Sequence, residues 1–242
     1  MTDVVMEAVN IAKVLGSGPA QVRALKGVNL TLRGGELTLL MGPSGSGKTT
    51  LLSILGCMLT PTEGTVHVRG ACVSGKDSET LAKLRRDQIG FVFQSYHLFP
   101  TLTALDNVRL ALDVRDDRNG NARMRAREAL TKVGLAHKTA SYPRQLSGGE
   151  QQRVAIARAI VGNPSVILAD EPTAALDSEN GQAIMTLLAE SAKDAERGVL
   201  VVTHDPRLLP YADRIIHIED GNIVREQSRD GTQKLREILE RA

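Results

Sequence analysis

Gly42-Pro43-Ser44-Gly45-Ser46-Gly47-Lys48-Thr49, followed by Thr50, is the stretch on which the reading of this chain turns. It fits G-x-x-x-x-G-K-S/T, a loop that holds phosphate groups. Glycines let backbone N–H groups converge on phosphate oxygens, and the N-terminus of the following helix adds a favourable dipole. Lys48 is placed to reach the β and γ phosphates of a nucleotide, and the Thr49 hydroxyl to ligate Mg²⁺. A chance Gly/Ser-rich loop would not be framed as this one is. Leu37 to Met41 reads as an apolar strand before it, and Leu51, Leu52, Leu55, Met58 and Leu59 repeat at helical spacing after it. The loop alone implies nucleotide binding and leaves open which nucleotide and what work.

Outward from the loop, the chain alternates short apolar runs with helical patterns. Val28, Leu30 and Leu32 alternate as in a half-buried strand, and residues 65–69 and 89–93 also read as strands. Helical patterns cover 81–86, 122–133, 150–161 and 181–192, and the stretch 101–162 is mostly helical. Val166-Ile167-Leu168-Ala169 and Val199-Leu200-Val201-Val202 are uniformly apolar. Strands of that kind between helices argue a parallel sheet covered on both faces. A last strand pair is expected around Asp220-Gly221, then an amphipathic tail with Leu235, Ile238 and Leu239.

The apolar runs end on chemistry. Asp170 and Glu171 close the first, where an unpaired carboxylate would be costly, so a charged partner is expected and Mg²⁺ is the natural one for Asp170. Glu171 can then polarise a water for in-line attack; the plainer alternative is an acidic pair opening a helix at Pro172. His204 closes the second run, at the carboxyl end of a strand, where α/β sheets place their sites, so a γ-phosphate contact is weighed against a structural histidine. Leu146-Ser147-Gly148-Gly149-Glu150 offers a second set of N–H donors at a helix start, or an ordinary N-cap turn.

These residues together resemble the ABC ATPases. Lys48, Gln94, Ser147-Gly148-Gly149-Glu150, Asp170, Glu171 and His204 are similar in order and spacing to that family's Walker A lysine, Q-loop, signature, Walker B, catalytic glutamate and H-loop, and Ala174-Ala175-Leu176-Asp177 to its D-loop. The resemblance covers about Val5 to Val224. It implies an α/β fold: a P-loop NTPase core with a parallel sheet, an antiparallel β subdomain and an inserted α-helical subdomain at about 95–162. The whole is a single domain over 1–242 with a tail from 225. It implies ATP and Mg²⁺ as cofactors, with Thr49, Gln94 and Asp170 around the metal. It also implies a homodimer formed on ATP binding, in which Ser147, Gly148 and Gly149 of one chain meet the γ-phosphate held by Lys48 of the other.

Composition narrows the partners. Thirty Lys and Arg against 28 Asp and Glu leave a net charge of +2, and aromatics are 2% of residues with no Trp, so neither a polybasic arm nor base-stacking platforms are available and no nucleic-acid partner is expected. Arg85-Arg86 and the arginines from Arg115 to Arg127 read as solvated helix faces. Cys57 and Cys72 have no metal-like spacing, Cys57 reads as a small core residue, and a reducing cytoplasm fits. The N-terminus lacks the pattern of a signal peptide, and no run reaches the roughly 18 apolar residues of a membrane span. The expected location is cytoplasmic, peripheral on the inner (plasma) membrane, with another polypeptide holding the chain there.

Leu168 to Thr173, Thr203-His204-Asp205 and Ala212-Asp213-Arg214 resemble the exporter ATPases of the MacB, LolD and DevA type. That implies an integral membrane permease as partner, with a periplasmic adaptor in many systems. A cell-division ATPase of the FtsE type, acting on cell-wall remodelling without transport, would carry nearly the same motifs; gene neighbours discriminate. Repair and chromosome ATPases insert long coiled coils between P-loop and signature, and no heptads appear between Thr49 and Leu146. Leu98, Phe99, Leu102 and Leu105 read either as a docking groove for the membrane partner or as core. Leu15 stands where the family usually stacks an aromatic ring on adenine, which predicts weaker base contact and looser base selectivity.

Overall fold

The computed structural model describes residues 3–115 and 121–228. The tail residues Leu235, Ile238 and Leu239 lie outside the described residues, as does part of the arginine stretch between Arg115 and Arg127.

A six-stranded sheet forms the centre. It is built from β3 (Glu36–Met41), β6 (Ile89–Val92), β7 (Val166–Asp170), β8 (Gly198–Thr203), β9 (Arg214–Glu219) and β10 (Asn222–Ser228), in the order β10-β9-β3-β8-β7-β6. All pairings are parallel except β9 with β10, an antiparallel pair turned at Asp220-Gly221. Both turn residues have positive φ, 46° and 77°, as a two-residue hairpin turn that matches strand twist requires. A second, antiparallel sheet has the order β2-β1-β4-β5, from β1 (Val4–Leu15), β2 (Val22–Arg33), β4 (Glu63–Val68) and β5 (Ala71–Cys72).

The uniformly apolar strands are explained by two cores. Leu37, Leu39, Met41, Ile167, Ala169, Val199 and Val201 face one, while Leu40, Val166, Leu168, Leu200 and Val202 face the other. Successive side chains alternate across a strand, so each run feeds both sides. Each fully buried aliphatic side chain contributes roughly 1.5–3 kcal/mol. The second core lies between the two sheets and encloses α1 (Lys48–Leu55) through Leu51, Leu52, Ile54 and Leu55. The first core is covered by α3 (Ala104–Asp113), α4 (Ala122–Lys132), α5 (Gly148–Ile160) and α6 (Ser178–Ala192). The helical stretch shares this core with the central sheet instead of closing on a core of its own. A further helix, α2 (Ser78–Gln88), precedes β6.

Two expectations are corrected. The helix after the loop stops at Leu55 and does not run through Met58 and Leu59. Cys57 takes a left-handed conformation (φ 54°), Met58 N–H donates to Ser53 O at 2.9 Å and Cys57 N–H to Ile54 O at 3.0 Å. That is a Schellman ending with cysteine in the place glycine usually takes. Cys57 is buried, and burial pushes its thiol up to about 11. The stripe Leu98, Phe99, Leu102 and Leu105 does not form one face: Leu105 is a core residue at 5% exposure and Leu98 packs against the same core, whereas Phe99 is 50% exposed.

Candidate functional site

Parallel strands deliver their carboxyl ends to one edge of the sheet, and the loop, Asp170-Glu171 and His204 all emerge there. Met41 pairs with Thr203 and Asp170 with Val202, so β3, β8 and β7 end side by side. The loop Gly42–Gly47 then turns into α1. Gly45 and Gly47 have φ of 80° and 101°, and a Cβ on Gly42 would fall 2.0 Å from the Ile218 carbonyl oxygen. Gly42 therefore starts the loop pressed against β9, a position open only to glycine. The Ser46 hydroxyl oxygen is buried without a hydrogen-bond partner inside this loop.

A cleft of about 840 Å³ opens over the loop. Pro43, Ser44, Gly45, Gly47, Lys48, Thr49, Thr50, Gln94, Glu171 and His204 line it. Lys48 Nζ donates to Gly42 O and Pro43 O, each at 2.7 Å, which holds the ammonium inside the loop. Burial lowers the Lys48 pKa against the pull of Glu171 and Asp170. Asp170 stands behind the lining, with Oδ1 3.5 Å from Thr49 Oγ1. Burial and the neighbouring Glu171 carboxylate raise its pKa, against the Thr49 hydroxyl and Lys48. Glu171 itself has φ 46°, a left-handed backbone that a non-glycine residue adopts at a cost, and donates its N–H to Val202 O at 2.9 Å. Its Oε1 lies 2.7 Å from His204 Nδ1.

Those donors suit a hard divalent cation. Thr49 offers a hydroxyl, Asp170 a carboxylate oxygen and Gln94 an amide oxygen, all hard oxygen ligands. Among the described residues no three His, Cys, Asp or Glu side chains gather as a metal cage. A site of one carboxylate and one hydroxyl beside a phosphate loop is the pattern that Mg²⁺ takes when phosphates complete its shell.

Ser147, Gly148, Gly149 and Glu150 are not in the cleft. They begin α5. Ser147 Oγ accepts from Glu150 N–H at 3.2 Å, while Ser147 N–H donates to Glu150 Oε2 at 2.9 Å, a reciprocal cap. The Glu150 carboxylate also pairs with Lys138 at 3.4 Å, and these contacts hold its pKa down. A Cβ on Gly149 would meet Asn180 Oδ1 at 2.4 Å, and Asn180 is fixed by Asp177, the N-cap of α6. Leu176 packs over Gly148. The segment Ala174 to Asp177 therefore lies against the start of α5.

Several lining residues besides Leu15 carried no signal in the sequence. Leu15 and Val22 pair across the β1–β2 ladder and are 39% and 63% exposed in the cleft. Arg23, Ala24 and Lys26 follow on β2, and Asp220-Gly221 reach in from the β9–β10 turn, where Lys26 N–H donates to Gly221 O at 2.9 Å. Asp220-Gly221 read only as a turn, and nothing in a linear motif places β2 beside it. Leu15 does line the cleft, and among the described residues no Phe, Tyr or Trp lines it.

Known proteins resemble this chain in sequence and in fold. The ABC transporter family profile matches residues 25–174. An uncharacterized ABC transporter ATP-binding protein of Methanocaldococcus jannaschii, MJ0796, is 47% identical over 226 residues, covering 92% of this chain and 96% of that protein. The macrolide export ATP-binding/permease protein MacB of Shigella flexneri is 45% identical over 220 residues; the match covers 91% of this chain but 34% of MacB. A dimeric structure of MJ0796 in a post-hydrolysis state bound to ADP and Pi superposes with a TM-score of 0.83 at 44% identity, covering 92% of this chain and 98% of that one. Family profile, near full-length relative and solved fold agree: this chain belongs to the ABC transporter ATP-binding cassette family and is an ATPase.

Proposed function

We propose that this chain is half of an ATP-driven machine in which two copies close head to tail on two Mg²⁺-ATP and drive a MacB-like membrane permease. The separation of Ser147–Glu150 from the cleft carries this reading: each chain holds a phosphate loop and a second phosphate-directed helix start that cannot serve the same nucleotide. A second copy, placed head to tail, brings the two together. The dimeric structures of MJ0796, one of them bound to ADP and Pi, support pairing of two such chains.

Within each site the roles follow from placement. The loop from Gly42 to Gly47 cradles the phosphates through its N–H groups, and Lys48 exchanges its two carbonyl partners for β and γ oxygens. Thr49, Asp170 and Gln94 would hold Mg²⁺, which when bound neutralises charge on the β and γ phosphates. Glu171 accepts the proton of the attacking water as the water oxygen bonds to the γ phosphorus and the β–γ bridging bond breaks toward ADP. His204 orients the Glu171 carboxylate through their 2.7 Å contact and faces the γ-phosphate end of the cleft.

In this reading the membrane-spanning work falls to the permease; among the described residues no helix is long and apolar enough to cross a bilayer. A groove of about 300 Å³ lined by Phe91, Phe93, His97, Ala111 and Val114, with Arg85, Arg86, Arg115 and Arg158 around it, is the docking surface in this reading. It replaces the Leu98–Leu105 stripe. The expected location is the cytoplasmic face of the membrane, and a periplasmic adaptor completes the assembly. Affinity capture of the full chain from detergent-solubilised membranes of its own host tests this. An integral permease that co-purifies and alters phosphate release on reconstitution is the expected result; recovery of the chain alone, with turnover indifferent to membranes, would overturn it.

A further inference from the structure

Arg158 stands on α5 about three turns beyond Ser147. Its guanidinium donates to two successive carbonyls of the loop after β6: Nη1 to His97 O at 2.6 Å and Nη2 to Tyr96 O at 2.8 Å. Those carbonyls belong to consecutive residues in the left-handed region, with φ of 61° and 47°, neither of them glycine or asparagine. Such a backbone persists only where its surroundings over-determine it. Here the Phe93 and His97 rings lie 4.5 Å apart and Tyr96 N–H donates to Phe93 O at 3.2 Å, which folds the loop on itself. Among the described residues Arg158 makes no ion pair, and partial burial lowers its pKa, so the two carbonyls are its polar partners there.

The same loop reaches the other end of α5. A Cβ on Gly148 would sit 2.9 Å from the Tyr96 hydroxyl oxygen, so the Tyr96 ring covers the first residue of the helix. Two residues earlier, Gln94 lines the cleft. One short segment therefore touches the nucleotide cleft through Gln94, the start of α5 through the Tyr96 ring, and its far half through two carbonyls. A planar fork with paired donors fits two adjacent carbonyls, and a lysine ammonium does not reproduce it.

We propose that Arg158 and Tyr96 are positioning residues that clamp the Gln94 loop to α5, so that the response of Gln94 to nucleotide in one cleft sets the position of the Ser147–Gly149 segment which the chain presents to a second copy. The proposal rests on the head-to-tail reading above. It differs from a plain packing role in what it predicts: ATP binding by the single chain survives loss of the clamp, and pairing of two chains on ATP does not.

The test uses the full chain carrying Glu171→Gln, so that bound Mg²⁺-ATP persists. Arg158→Met, Arg158→Lys and Tyr96→Ala are added singly. ATP affinity is read with a fluorescent ATP analogue in dilute protein, pairing by light scattering across a protein titration in Mg²⁺-ATP, and folding by thermal melting. The expected result is ATP affinity close to that of the parent, with pairing weakened roughly tenfold or more, the effect of losing a charge-assisted hydrogen bond. Arg158→Lys should resemble Arg158→Met more than the parent. Should Arg158→Met fail to fold, Arg158→Lys and Tyr96→Ala decide. Pairing at parental concentrations in variants that bind ATP overturns the clamp, and so does a parallel loss of ATP affinity and pairing, which marks a packing role. If the Glu171→Gln parent itself stays single in Mg²⁺-ATP, the head-to-tail reading falls and takes the clamp with it.

Discussion

His204 Nδ1 lies 2.7 Å from Glu171 Oε1, and each residue immediately follows one of two adjacent parallel strands, β8 and β7. The Glu171 backbone is held in a left-handed turn by its bond to Val202 O, so the carboxylate and imidazole are brought together by the sheet itself. A base that must accept a proton from water at one point in space benefits from such a frame.

Glu171→Gln removes the proton acceptor and leaves the loop intact. Phosphate release should fall roughly 100- to 10,000-fold, the usual contribution of a general base, while ATP binding persists. Steady-state hydrolysis beside equilibrium ATP binding checks this, and unchanged turnover would falsify the assignment.

Lys48→Ala removes the ammonium that the loop positions at 2.7 Å from two of its own carbonyls. Loss of about 1.5–3 kcal/mol of charge-assisted bonding predicts ATP affinity weaker by roughly 10- to 150-fold. Calorimetric titration with Mg²⁺-ATP reads it directly.

Asp170→Asn separates metal binding from stability. Burial and Glu171 place the folded pKa of Asp170 above its unfolded one, so the fold binds that proton more tightly and loses stability as pH rises from the ordinary carboxylate range through the raised value. In nucleotide-free protein the neutral amide should raise the melting temperature at pH 7. The gain should vanish at pH values below the ordinary carboxylate range, where Asp170 is protonated in both states. Mg²⁺-dependent hydrolysis should be lost at the same time.

Leu15→Tyr supplies a ring that the cleft lacks among the described residues. Leu15 and Val22 offer apolar contact without a π face, so the variant should bind ATP more tightly and sharpen its preference over GTP. Competition between the two nucleotides measures it; an affinity and preference equal to wild type would count against a base-contacting role for Leu15.

The sheet edge was legible because its strands are short, uniformly apolar and end on Asp170, Thr203 and the glycine loop, so the period and the chemistry coincide. β1 was not. Asn10 sits at φ 51° beside register shifts between Ala8 and Ala12, and such bulges break the alternation by which a half-buried strand is recognised. The helix overrun past Leu55 has a similar cause, since Met58 and Leu59 keep helical spacing while Cys57 adopts the conformation expected of glycine. The Arg214 network was invisible for another reason. Its guanidinium joins Glu36 at 2.5 Å, Glu226 at 2.8 Å and the Thr31 carbonyl, linking β9 to β3, β10 and β2 through contacts that no local pattern encodes.

Arg214→Met leaves Glu36 without its partner in a largely buried setting, where side-chain exposures are 9% and 15%. Breaking one side of such a pair costs about 3 kcal/mol or more. Urea unfolding of the nucleotide-free chain should show a lower midpoint with an unchanged slope.

Light scattering of the Glu171→Gln chain with and without Mg²⁺-ATP tests most directly whether the chain is half of a composite ATPase. A single chain without nucleotide, two chains with Mg²⁺-ATP, and a return to one when Ser147→Arg is added to protein that still binds ATP are the predicted results. A stable pair without nucleotide, or an ATP-driven pair indifferent to Ser147→Arg, would contradict the account.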